Sequence, residues 1–132
     1  FRAHTDPELV KQWLGPRNLT MDIDRFEVRD GGIWRYVQRD EQGNEYAFHG
    51  VFHGDPSPDS IVQTFEYEGY PGNVALETLT LEERDGKTLL RTNSVFQTLE
   101  ARDGMLQSGM EHGVNDGYER LDELVASLAS VG

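Results

Sequence analysis

Between about residue 19 and about residue 97 the sequence keeps no helical period; apolar and polar side chains alternate there instead. Turn-forming clusters interrupt the alternation at Asp30-Gly31-Gly32, Asp40–Asn44, Asp55–Asp59, Gly69–Gly72 and Asp85-Gly86. The spacing predicts strands at about 19–29, 33–39, 45–54, 60–67, 74–83 and 88–97. Connections this short join antiparallel neighbours, because a parallel crossover needs a dozen or more residues. The middle of the chain is therefore expected to be an antiparallel meander of six strands.

Helical signals flank the meander. In TDPELVKQW, Thr5 or Asp6 can cap, Pro7 suits the first turn, and Leu9, Trp13 and Leu14 share one side. Gly15-Pro16 ends that helix. From about 102 to 130 a helical period returns, with Asp103 as its cap and an apolar stripe of Met110, Val114, Leu121, Leu124, Val125 and Leu128. It predicts one long helix. A sheet with one apolar face needs a cover, and this is the long helix available. The expected architecture is a single α+β domain over residues 1–132, a curved antiparallel sheet wrapped around the C-terminal helix.

That helix carries Gly109, Gly113 and Gly117, one every four residues and so on one face. Each costs roughly 1 kcal/mol relative to alanine. We expect the stripe to face the sheet or a cavity, where bare backbone permits close approach or leaves room.

With 12 Lys and Arg against 24 Asp and Glu, the formal charge of −12 disfavours nucleic acid and anionic membrane surfaces. No apolar run approaches the ~18 residues of a membrane span. The chain has no cysteine, which excludes disulfides and thiolate chemistry and fits a reducing cytoplasm. No motif places a serine on a sharp turn beside a histidine, and no glycine spacing makes a phosphate loop.

Parity along the strands selects candidate site residues. Trp34 and Tyr36 share a face with Gln38, and Phe65 shares one with Tyr67. Phe48 lies on the apolar side of its strand with Tyr46, Gly50 and Phe52; Thr92, Ser94 and Phe96 line the last strand. With Met105, Met110, Gly113 and Tyr118 of the helix they would enclose an apolar pocket with a few hydroxyls. Each of these taken singly also reads as ordinary core. Glu77 shares its parity with Ala75, Leu79 and Leu81, and so points inward. A carboxylate among apolar neighbours has the profile of a general acid or base, or of an anchor for a ligand hydroxyl; a wetted or arginine-paired strand end is the plainer alternative. His49 and His53 have the opposite parity to Phe48 and Phe52, which puts them on the outer face, and no third metal ligand is evident.

The pieces Trp13–Gly15-Pro16, Gly31-Gly32-x-Trp34-Arg35 and Gly109-Met110-x-x-Gly113 followed by Arg120-Leu121 closely resemble the family of homologues of the activator of the heat-shock-protein ATPase. That family belongs to the START/Bet v-like (SRPBCC) superfamily. The resemblance covers nearly the whole chain and implies a helix-grip fold. It also implies a strand ahead of Phe1, pairing with the segment around 88–97. The superfamily encloses a cavity between sheet and long helix, so the resemblance implies a small apolar or amphipathic ligand. No cofactor and no metal is expected, no nucleic acid or membrane insertion, and a monomer or homodimer. Two further functions stay open: an enzyme of cyclase, dehydratase or hydrolase type using Glu77 as acid or base, and a co-chaperone-like interaction module.

Overall fold

The computed structural model describes residues 1–15, 18–107 and 110–131, and their side chains except those of 107, 110–113 and 129–131. Two short helices come first, α1 (Arg2–Thr5) and α2 (Pro7–Trp13). Asp6 caps α2, its side chain accepting a hydrogen bond from the Glu8 amide at 3.0 Å. Strands β1 (Thr20–Phe26), β2 (Ile33–Arg39), β3 (Glu45–Val51), β4 (Ser60–Tyr67), β5 (Val74–Arg84) and β6 (Lys87–Phe96) follow. They form a six-stranded curved sheet in the order β1-β2-β3-β4-β5-β6, every neighbour antiparallel. Two helices close the chain, α3 (Leu99–Gln107) and α4 (Met110–Val131). Among the described residues no helix is long and apolar enough to cross a membrane.

The meander is held by its turns. Between β5 and β6 only Asp85 and Gly86 intervene, both at positive φ (51° and 78°), the two-residue turn whose twist matches paired strands. β3 is shorter than its pattern predicts. Its pairing with β4 stops after Phe48↔Tyr67 and His49↔Glu66 and resumes at the single bridge Phe52↔Gln63. In the gap the Val51 amide donates to the Thr64 hydroxyl at 2.9 Å instead of to a carbonyl across the ladder.

The C-terminal region differs from expectation in two ways. Its start is Leu99, because the Thr98 hydroxyl accepts from the Ala101 amide at 3.0 Å and caps α3. Asp103 lies inside α3, paired with Arg102 at 3.1 Å. Second, Val114 and Val125 of the apolar stripe are exposed. α4 makes its closest backbone approaches to α2 and α3 rather than to the sheet, so part of its stripe has no cover.

Two cores result. Trp34, Tyr36, Phe52 and Ile61 are buried on the inner face of the sheet, with Leu14, Ile23, Phe26, Phe48, Phe65 and Leu79 packed around them. Ala3, Leu9, Val10 and Trp13 are buried among the N-terminal helices. The Trp13 indole N–H donates to the Ala3 carbonyl at 2.8 Å, and its ring meets His4 at a tilt and stacks against Tyr118 of α4.

Candidate functional site

Much of the inner face of the sheet is left uncovered by the described residues of α4. Between sheet and helix, and bounded by α2 and α3, lies a hollow of about 1160 Å³. Its floor is built by strand alternation: each strand sends every second side chain inward. β2 supplies Trp34 and Tyr36, stacked with ring centroids 5.3 Å apart. Phe48 from β3 packs at 5.3 Å from both Tyr36 and Phe65, and at 5.1 Å from Tyr67. The five rings make one continuous aromatic wall. β6 contributes Thr92, Ser94 and Phe96, and the helices contribute Met105 and Tyr118. The Thr92 and Tyr118 hydroxyls lie 3.3 Å apart and form a polar link between the sheet edge and α4. Thr92 and Ser94 line the hollow yet are solvent-exposed, so it opens at the β6 side. Met110 and Gly113 fall outside the described side chains.

Glu77 stands on the floor, on β5. Its cross-strand neighbours are Gln63 on β4 and Ser94 on β6. The Gln63 side-chain amide donates to one Glu77 carboxylate oxygen at 3.1 Å. Burial raises the Glu77 pKa, and the Gln63 hydrogen bond opposes that rise only in part. Burial likewise raises the Tyr36 pKa, and the negative charge of Glu77 adds to it. A carboxyl that takes up a proton readily, beside a phenol that holds its own, can donate to a ligand oxygen or accept from a ligand amine.

Gln63 and His4 are among the lining groups that escaped the sequence reading. Gln63 shares its parity with Phe65 and Tyr67, which would have sufficed to place it inward. His4 lines the far end against Trp13, and burial lowers its pKa from 6.5 to about 4, leaving the imidazole neutral. No periodic pattern surrounds His4 to announce it.

Of the glycine stripe, Gly117 lies within the described side chains. Gly117 is buried, and a methyl built on it would lie 3.2 Å from both the Trp13 carbonyl oxygen and the Gly15 amide nitrogen. It therefore serves the packing of α4 onto the end of α2, whereas the stripe was expected to face sheet or cavity; its backbone also borders the hollow. One turn on, Arg120 donates to the carbonyls of Gln12 (2.9 Å) and Gly15 (3.1 Å), which the end of α2 leaves without helical donors. Gly109 is outside the described residues.

On the outer face, His49 pairs with Glu68 at 3.0 Å and Glu66 at 3.5 Å, and Arg35 holds Glu68 through two bonds of 2.8 and 3.0 Å. His53 is exposed. No group of three or more metal-ligating side chains is assembled among the described residues.

The profile of the family described as activator of Hsp90 ATPase homolog 1-like protein matches residues 1–126. Among solved structures, a Rhodobacter sphaeroides protein is similar, at 30% identity and a TM-score of 0.87, over 96% of this chain and 83% of that one. A Nitrosomonas europaea protein is similar at 22% identity and a TM-score of 0.84, over 98% and 86% of the two chains. An Arthrobacter aurescens protein solved by NMR is similar at 23% identity and a TM-score of 0.86, over 96% and 77%. The last two likenesses are of fold. No protein of curated function matches.

Proposed function

This chain belongs to the family of activator of Hsp90 ATPase homolog 1-like proteins, and on that premise we propose that it holds a small apolar or amphipathic molecule between its sheet and its C-terminal helices. The observation that carries this reading is the hollow of about 1160 Å³ walled by aromatic rings. Protein interiors otherwise pack like organic crystals, and leaving so much apolar surface uncovered is unfavourable. Ligand sites combine such apolar walls with a few placed polar groups. Glu77, Gln63, Ser94 and the Thr92–Tyr118 pair are those groups here. The test is organic extraction of the purified native protein followed by mass spectrometry, with thermal shift against a panel of apolar small molecules. A retained molecule, or a saturable rise in Tm, is expected. An unoccupied protein whose Tm none of the panel moves would refute the proposal.

A second reading makes the protein an enzyme on such a molecule, with Glu77 as general acid or base. The raised pKa of Glu77 favours it, since a carboxyl poised nearer neutrality exchanges protons more effectively at working pH. Once a ligand is known, Glu77→Gln should abolish its turnover and retain its binding. Equal turnover in the variant would remove Glu77 from the chemistry.

A further inference from the structure

Resting on the cavity reading above, we propose that the hollow takes a cationic amphiphile, an apolar body bearing a protonated amine set against the Glu77 carboxylate, and rejects anionic ones such as fatty acids.

The charge pattern of the walls carries this. Among the described residues the lining includes two carboxylates, Glu77 on the floor and the exposed Glu100 at the rim, and no lysine or arginine. His4, the one basic side chain of the lining among the described residues, is neutral at physiological pH. An anionic headgroup in this hollow would meet no counter-charge among the described residues and would lie near a carboxylate already shielded from water. The chain's net charge of −12 opposes its approach as well.

A cation meets the reverse. Gln63 is the one hydrogen-bond partner of Glu77 among the described residues and occupies one carboxylate oxygen, leaving the other for a ligand donor. An ammonium there makes a charge-assisted hydrogen bond, stronger than a neutral one. It would also favour the ionised carboxyl, reversing the effect of burial. The wall from Trp34 to Tyr67 supplies aromatic faces, to which cations are attracted. The same rings cover the apolar body. A neutral alcohol can bond Glu77 but gains neither the charge nor the ring attraction, so it should rank between the two ions.

Three probes of one chain length separate these cases: decylamine, decanol and decanoate, titrated calorimetrically into the folded protein at neutral pH. Decylamine is expected to bind at least about tenfold more tightly than decanoate. In Glu77→Gln the ratio of decylamine to decanol affinity should fall by about tenfold. Decanoate binding as tightly as decylamine, or an unchanged ratio in Glu77→Gln, would overturn the charge preference and leave the cavity reading standing. Failure of all three probes to bind would overturn both.

Discussion

Glu77 and His4 are both shielded from water, and burial moves their pKa values in opposite directions. For Glu77 the folded state binds its proton more tightly than the unfolded chain does, so its ionisation opposes folding above the unfolded value of about 4.3. Glu77→Gln should therefore raise Tm at neutral pH, with the advantage gone near pH 4; Gln63 can still donate to the new amide oxygen. Melting curves across that range check it, and a variant less stable at neutral pH would refute it. For His4 the unfolded chain binds the proton more tightly, so stability is lost as pH falls from 6.5 toward 4. His4→Gln should flatten denaturant-measured stability over that window, and an unchanged slope would show the imidazole to be uninvolved. Glu77 was legible in sequence because Ala75 and Leu79 share its parity and face the hollow beside it. Gln63 was equally placed by parity with Phe65 and Tyr67. His4 was not legible, because its burial depends on Trp13, nine residues on, folding back over it.

At the scale of elements, the strands were readable from their punctuation, and the helices less so. Asp85-Gly86 can do little but turn, and β5 and β6 begin and end around it as expected. The boundary at Thr98 was missed because its evidence is a side-chain bond, not a change in period. What Gly117 is for also depends on a partner more than a hundred residues away. Its environment sets a paired prediction. Alanine at an unhindered helical glycine should stabilise by up to about 1 kcal/mol. Gly104 in α3 is such a site, since a methyl there would meet nothing within 4 Å. At Gly117 the same gain is opposed by overpacking against backbone, which typically costs about 1–3 kcal/mol. Gly104→Ala should raise Tm and Gly117→Ala should lower it; equal gains would mean that α4 is free to move away from α2.

The whole molecule is a sheet of local pairings closed by one distant contact. Every strand pairs with its neighbour in sequence, whereas the bonds from Arg120 to Gly15 and Gln12 span 105 and 108 residues. Seating α4 on α2 rather than deep in the sheet is what leaves the hollow. It also orders the events of folding. Loops between adjacent strands close early, while a closure over a hundred residues has to overcome a larger entropy loss. The sheet can thus assemble with its aromatic wall still bare, and the helix that roofs it docks last. An interaction absent from the transition state slows unfolding without hastening folding. Arg120→Gln should accordingly steepen neither arm of the chevron but lift the unfolding rate, with the folding rate nearly unchanged; a matching drop in folding rate would place the clamp in the nucleus instead. During synthesis the consequence is sharper. The six strands leave the ribosome before the residues that cover them, so a nascent chain must carry an open apolar trough until its last helix emerges, and that interval is when it is most exposed to aggregation or to capture by a chaperone.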